Sequence, residues 1–142
     1  MPDIDHTLQI SAAPEAVYSL VATADGLRKW WAEDVSHGPE TVDLGFFNRD
    51  TIYKLKLDSS AAPSRAKWLV ESGKEWSGTR LIFEITPAGQ GCKLRFTHAG
   101  WAAATDYFVS CNTTWGGLMF RLKDAAEGRA NGPLFTAAGM SY

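Results

Sequence analysis

Net charge, cysteine and long apolar runs are all scarce in this sequence, and each shortage excludes a class of protein. Its 14 basic and 16 acidic residues leave a formal net charge of −2. A chain so close to neutral offers no basic surface to follow a phosphate backbone, so we expect no nucleic-acid partner. No stretch of the sequence approaches the roughly 20 apolar residues that a membrane-spanning helix requires, so we expect no membrane span.

Cysteines are too few for the disulfide framework of a small secreted protein. The two that are present, Cys92 and Cys111, also lack the paired spacing of a zinc site. The first residues of the chain show neither the basic segment nor the apolar segment of a secretory signal. We therefore expect two free thiols and a cytoplasmic location.

Motifs that hold metals or phosphates are missing as well. The three histidines, His6, His37 and His98, are scattered along the chain without the spacing of metal ligands. The glycines of 89–91 lie between two predicted strands, whereas a phosphate-binding loop joins a strand to a helix. The sequence thus indicates neither a metal site nor a cofactor.

Aromatic side chains are abundant: the chain has six Trp, seven Phe and four Tyr. Such rings provide large apolar walls with few rotatable bonds. They either fill an ordinary core or surround a cavity for a small molecule, and composition leaves both interpretations open. With 142 residues the chain has the size of one ordinary domain, so residues 1–142 are expected to fold together as one.

The most regular pattern in the sequence runs from Thr105 to Gly128 and predicts a long helix. Its apolar residues recur at steps of three and four, as expected for one buried face. They are Phe108, Cys111, Trp115, Leu118, Met119, Leu122 and Ala126. Gly128 is expected to cap the helix. The pair Gly116-Gly117 destabilises a helix interior by roughly 1 kcal/mol per glycine. It indicates either close backbone packing or space for a ligand.

The rest of the chain predicts one antiparallel sheet. A strand over 5–10 precedes two short helices, of which the second ends at the tryptophan pair Trp30-Trp31. Between residues 35 and 98, apolar and polar residues alternate over five or six further strands, with a loop at 59–63. A sheet with one apolar face needs a partner, and the long helix is the one available. We therefore predict an α+β fold in which a curved sheet wraps around the helix.

Four motifs, spread across most of the chain, carry a family resemblance. They are the segment 10–18, the Leu27-x-x-Trp30-Trp31 pair, the strand ending His98-x-Gly100-Trp101, and the helix with Trp115, Leu122-Lys123 and Glu127-Gly128. In order and spacing they resemble the helix-grip proteins of the START-like, or SRPBCC, superfamily. Within it they look most like the bacterial branch named after homologues of the chaperone-ATPase activator Aha. The resemblance implies an apolar cavity between the sheet and the long helix.

The tail at 134–142 lies outside the family pattern and has apolar character. We expect it either to fold back on the sheet or to meet a second subunit in a homodimer.

Side chains that the patterns place on the facing surfaces of sheet and helix form the candidate ligand-binding site. They are Trp31, Tyr53, Trp68, Phe83, Phe96, His98, Phe108, Cys111, Trp115 and Met119. His98 is the polar member, at a strand end on the apolar face. A lone histidine in such a place is more often held by a backbone or hydroxyl partner than used in chemistry. His98 or Tyr53 would orient a ligand.

The sequence favours binding of a small apolar or aromatic molecule in the cavity. Members of the superfamily range from lipid and hormone carriers to polyketide cyclases, so a cyclase- or dehydratase-like enzyme with His98 and Tyr53 as acid and base is one alternative. Cys111 and His98 are the only nucleophile and base on facing surfaces, and no motif supports their use. The other alternative is a protein-interaction module with a chaperone partner, which would have a fully packed interior.

Overall fold

Seven antiparallel strands and a long C-terminal helix make up most of the computed structural model, which describes residues 1–38, 40–129 and 131–141. The strands of the sheet are β1 (Ile4–Ile10), β2 (Val35–His37), β3 (Val42–Phe46), β4 (Thr51–Ala61), β5 (Arg65–Ser72), β6 (Arg80–Ala88) and β7 (Gly91–Ala99). The helices are α1 (Pro14–Ala22), α2 (Ala24–Arg28) and α3 (Asp106–Ala126). A short hairpin of β8 (Phe135–Thr136) and β9 (Gly139–Met140) follows α3.

The strand order in the sheet is β1-β7-β6-β5-β4-β3-β2. The chain therefore winds as a meander from β2 to β7, and β1 pairs with β7 at the far edge. Helices α1 and α2 form the connection between β1 and β2, and α3 packs against α1 and β1. The predicted α+β helix-grip architecture is confirmed.

Alternation of apolar and polar residues produces the buried face of the sheet. In β7, Leu94, Phe96 and His98 are fully buried, and the residues between them are more exposed. Phe83 of β6 lies directly opposite Phe96 in the pairing register. A one-residue shift of this register would turn the apolar set of a strand toward solvent, so burial fixes the register as well as the face.

Strand β4 extends further than the sequence predicts. It runs to Ala61, through the first part of the predicted loop at 59–63. The pairing with β5 shifts between Leu57 and Ser59, and the strand continues beyond this irregularity. Backbone pairing with a neighbouring strand thus outweighs the weak strand preference of the serines here.

Helix α2 also differs from its prediction. It begins at Ala24 and ends at Arg28, before the tryptophan pair rather than at it. The Thr23 side chain accepts a hydrogen bond from the Gly26 N–H at 2.9 Å, which is the usual N-cap interaction. The residues that break the α1 pattern therefore start the next helix.

Helix α3 begins and ends as predicted. The Thr105 side chain caps its first turn by accepting from the Phe108 N–H at 3.2 Å. Gly128, just beyond its last turn, has φ of +84°, a conformation that favours glycine. None of the helices in the described ranges has both the length and the apolar character needed to cross a bilayer.

Neither interpretation of the Gly116-Gly117 pair agrees with the structure. A methyl group on Gly116 would lie 3.8 Å from Cε1 of His6, and one on Gly117 would lie 3.9 Å from Cδ2 of Leu134. These are ordinary contact distances, so the backbone is not closely packed at either position. Neither glycine lines the cavity between α3 and the sheet.

The C-terminal tail folds back, as one of the two expectations had it. The N–H groups of Leu134 and Phe135 donate to the carbonyl oxygens of Trp30 and Trp31, at 3.1 and 2.9 Å. Leu134 is buried, and the Phe135 ring meets the Phe46 ring of β3 edge-on at 4.9 Å. Tyr142, the last residue of the tail, lies outside the described residues.

Candidate ligand-binding cavity

A cavity of about 200 Å³ lies between the first half of α3, the β3–β4 hairpin and the loop from β5 to β6. Its wall comprises Phe46, Phe47, Thr51 and Tyr53 from the hairpin, Lys74 and Trp76 from the loop, Tyr107, Ser110, Cys111, Thr114, Trp115 and Leu118 from α3, and Trp31, Phe135 and Met140. The cavity is open on one side, and the lining residues Phe47 and Met140 are 57% and 38% exposed.

The volume limits what the cavity can hold. A closed apolar cavity of about 150 Å³ accommodates benzene, whereas pockets for drug-sized molecules measure about 300–1,000 Å³. A cavity of about 200 Å³ therefore suits a single ring with a short substituent. A lipid or a steroid would not fit without movement of the wall.

Trp76 forms one wall of the cavity, although the sequence patterns assign it no role. It lies in the polar loop between β5 and β6, and its ring stacks on Tyr53 with centroids 4.2 Å apart and planes inclined by 7°. Gly73 makes this contact between loop and sheet possible. Its φ is +140°, and a methyl group there would lie 2.0 Å from the Tyr53 ring. A tryptophan inside a glycine-rich turn was the signal in the sequence that could have identified this wall.

Trp31 and Trp115 close the inner end of the cavity. Both are 1% exposed, and their ring centroids lie 5.0 Å apart. Each also packs against Trp76, with centroid distances of 6.1 Å from Trp31 and 5.7 Å from Trp115. Three indole rings thus form one continuous apolar surface.

Two tyrosines and a cysteine supply polar atoms on the wall. The hydroxyl groups of Tyr53 and Tyr107 share a hydrogen bond. Burial raises the pKa of Tyr53 to about 12, and burial together with the hydrogen bond to Tyr53 raises the pKa of Tyr107. Burial also raises the pKa of the Cys111 thiol. These three groups are therefore uncharged at neutral pH, and the sulfur is not an activated thiolate.

His98 does not line the cavity but lies in the core behind it, with no exposed surface. Its Nδ1 accepts from the Trp115 Nε1–H at 3.1 Å, and its Nε2 lies 2.8 Å from Oγ1 of Thr79. The Thr79 hydroxyl donates to the Trp76 carbonyl oxygen, so it accepts from the imidazole Nε2–H. Both ring nitrogens are engaged, and the imidazole is neutral because burial lowers its pKa to about 3.

Four of the ten side chains proposed from the sequence line the cavity: Trp31, Tyr53, Cys111 and Trp115. Trp68 lies under α1, where its Nε1–H donates to the Val21 carbonyl oxygen at 2.8 Å. The other members of the set occupy the packed core or its margin. Phe83 and Phe96 contact each other at 5.0 Å, Phe108 packs edge-on against Trp101, Met119 is buried, and His98 is held by Trp115 and Thr79.

The other predicted side chains do not line the cavity because the space between the sheet and α3 is not uniform. Side chains of β5, β6 and β7 fill much of it, and the cavity lies beside the β3–β4 hairpin. In the described ranges no group of three or more His, Cys, Asp or Glu side chains is placed to hold a metal ion. The cavity therefore offers apolar contact and hydrogen bonds.

Comparison with solved structures finds this fold repeatedly. The Aha1 dimer from Colwellia psychrerythraea, solved in solution, is 31% identical and superposes with a TM-score of 0.80 over 91% of this chain and 98% of that chain. The AHSA1-like protein from Aeromonas hydrophila is 13% identical, with a TM-score of 0.68 over 89% of this chain and 93% of that one. CalU16 from Micromonospora echinospora is 14% identical, with a TM-score of 0.73 over 92% of this chain and 68% of that one.

The second and third of these similarities show the fold alone, whereas the first extends to the sequence over nearly the full length of both chains. No protein-family model and no curated protein matches the sequence.

Proposed function

The chain belongs to the Aha-type branch of the START-like (SRPBCC) superfamily, and from this premise we propose that it binds a small apolar or aromatic molecule in the cavity between its sheet and α3. The observation that carries the proposal is the wall of aromatic rings around an open space of about 200 Å³. Binding sites for small molecules are concave and mainly apolar, with a few polar groups that fix orientation. Cys111 and the Tyr53–Tyr107 pair would be such groups here.

The geometry gives less support to the cyclase-like alternative. An acid–base pair must reach the same substrate, and only Tyr53 of the two candidates lines the cavity. Both ring nitrogens of His98 form hydrogen bonds inside the core. The Trp76 ring packs against the side chains of both His98 and Tyr53. Protonation of the His98 imidazole would also place an N–H on Nδ1, where it would face the Trp115 indole N–H instead of accepting from it.

A cavity-blocking substitution tests the binding proposal. Thr114 lines the cavity, whereas its neighbour Thr113 is exposed on the outside of α3. We expect single-ring aromatic compounds to quench the tryptophan fluorescence of the wild type saturably, because three indoles border the site. Thr114→Phe should weaken the affinity by roughly tenfold or more, since its ring occupies the ligand's space. Thr113→Phe, the matched control, should bind like the wild type.

Two results would contradict the proposal. One is the absence of saturable quenching with every single-ring compound tested. The other is an unchanged affinity in Thr114→Phe, which would place any binding outside the cavity.

We also propose that the chain forms a homodimer, because its relative from Colwellia was solved as a dimer. The outer side of α3 provides a candidate surface. Val109 and Phe120 lie eleven residues apart, which is about three helical turns and keeps them on one stripe of the helix. Val109 and Phe120 are 58% and 66% exposed, so a second copy would cover apolar surface that is otherwise in contact with water.

Sedimentation equilibrium tests the homodimer. The wild type should have twice the 15.5 kDa mass of one chain, and Phe120→Ser should raise the dissociation constant roughly tenfold or more because a central apolar contact is lost. Phe47→Ser, at another exposed phenylalanine, serves as the control and should leave the mass unchanged. A wild type that stays monomeric at high micromolar concentration would contradict the proposal.

A further inference from the structure

A second, smaller cavity of about 70 Å³ adjoins the candidate ligand-binding cavity. Its wall is made by the end of β3, the turn that follows it and the C-terminal tail. Three phenylalanines, Phe46, Phe47 and Phe135, line both cavities. The two spaces are therefore neighbours, and these three residues form the partition between them.

Phe135 completes the partition, because its ring contacts the rings of the other two members. It meets the Phe46 ring edge-on at 4.9 Å and the Phe47 ring edge-on at 6.1 Å. Phe46 belongs to the core, where its ring also lies 6.3 Å from that of Trp31, whereas Phe47 is 57% exposed at the mouth. The C-terminal tail thus supplies the ring that joins the buried and the exposed parts of the partition.

Main-chain hydrogen bonds and one arginine hold the tail in this position. The Phe135 N–H donates to the Trp31 carbonyl oxygen at 2.9 Å, and the Phe135 carbonyl oxygen accepts from the Glu33 N–H at 3.0 Å. The Arg121 guanidinium donates to the carbonyl oxygens of 131–133 at 3.1–3.3 Å. None of these bonds uses the Phe135 ring, so a smaller side chain there leaves the anchoring of the tail in place.

The partition limits the size of the ligand. The main cavity, about 200 Å³, suits a single ring with a short substituent. Loss of the Phe135 ring would join it to the second cavity of about 70 Å³ and add the volume of the ring itself. The joined space would reach the range of about 300 Å³ and above that is typical of pockets for larger ligands.

From these observations we infer that Phe135 determines the size of the ligand by closing the cavity at one aromatic ring. The inference rests on the proposed binding function and adds a residue that sets its specificity. A single ring occupies the cavity beside the indoles of Trp31 and Trp115. A second ring linked to it would need the space that the Phe135 ring fills.

Phenol and 4-phenylphenol test the inference, because they share a hydroxyl group and differ by one ring. By calorimetry we expect the wild type to bind 4-phenylphenol roughly tenfold more weakly than phenol. Burial alone predicts the opposite order, since the second ring adds apolar surface. Phe135→Ala should bind 4-phenylphenol roughly tenfold or more tightly than the wild type does, because the joined cavities admit the second ring. Its affinity for phenol should change less.

Phe108→Ala is the matched control. Phe108 is also a partly buried phenylalanine at the margin of the core, but its ring packs edge-on against Trp101 at 5.1 Å. Its loss should leave the ratio of the two affinities as in the wild type. Phe135→Leu keeps an apolar side chain on the tail while removing the ring, and it should still bind 4-phenylphenol severalfold more tightly than the wild type. Near-ultraviolet circular dichroism checks that each variant retains its packed core.

The outcomes separate this inference from the function on which it rests. A wild type that binds 4-phenylphenol at least as tightly as phenol would overturn the inference and leave the binding function in place. So would Phe135→Leu and Phe135→Ala proteins with no gain in affinity for 4-phenylphenol, or an equal gain in Phe108→Ala. If neither phenol nor any other single-ring compound binds the wild type, the proposed function itself is wrong.

Discussion

Trp115→Ala is expected to lower the free energy of unfolding by roughly 3–5 kcal/mol, because it removes a large ring from the centre of the core. Trp115 is 1% exposed and has ring neighbours on several sides, at 4.3 Å for Phe96 and 5.0 Å for Trp31. Truncation leaves a space that these rings cannot fill. It also removes the donor to Nδ1 of His98, so a buried acceptor becomes unpaired. Urea unfolding measures the loss.

Two further variants separate packing from hydrogen bonding at this position. Trp115→Phe keeps most of the buried ring and loses the N–H, so it should reduce stability by about 1–3 kcal/mol, less than alanine does. Phe120→Ala removes a ring from the exposed side of the same helix and should stay within about 0.5 kcal/mol of the wild type under conditions where the chain is monomeric. A Trp115→Ala protein within about 1 kcal/mol of the wild type would show that the ring is not a central packing element.

Acidification is expected to destabilise the protein through His98. Burial lowers the pKa of this imidazole in the folded chain to about 3, from an ordinary value of 6.5. The unfolded chain therefore binds a proton near pH 6.5, whereas the folded chain resists doing so until about pH 3. The contribution of neutral His98 to the free energy of unfolding is complete above pH 6.5 and decreases as the pH falls toward 3. Each pH unit within that window corresponds to about 1.4 kcal/mol.

The contribution of His98 is measured against a variant that cannot titrate there. His98→Gln should be less stable than the wild type at pH 7, because the hydrogen bonds of Trp115 and Thr79 are disturbed. The difference between the two proteins should shrink by about 3 kcal/mol between pH 7 and pH 4. His37→Gln changes an exposed histidine and should follow the wild-type curve. Imidazole resonances of His98 that titrate near pH 6.5 would contradict this account.

Local patterns in the sequence were sufficient to predict much of the fold. The spacing of apolar residues identified α3, and the helix ends beside Gly128, the cap that the sequence predicts. Alternation identified the buried faces of the strands, since successive side chains of a strand point to opposite sides. The motifs also identified the family, to which the 31% identical Aha1 structure assigns the chain. These features depend on neighbours in the sequence, so the sequence contains them directly.

The boundaries of β4 and α2 were predicted less well, because they depend on more than local preference. Pairing with β5 carries β4 through a serine-rich stretch, and a side-chain cap at Thr23 starts a helix where the apolar pattern breaks. Both are cases in which a hydrogen bond outside the periodic pattern decides where an element begins or ends.

What the sequence determined, then, is which side chains face the interior; only the tertiary structure decided which of them border open space. Phe96 and Trp115 both point inward, yet Phe96 fills the core and Trp115 lines the cavity. Trp76 reaches the cavity from a loop, because Gly73 lets that loop approach Tyr53. Periodicity reports the direction of a side chain relative to its own element, whereas a cavity depends on how far apart several elements lie, and that distance is set by contacts between residues distant in the sequence.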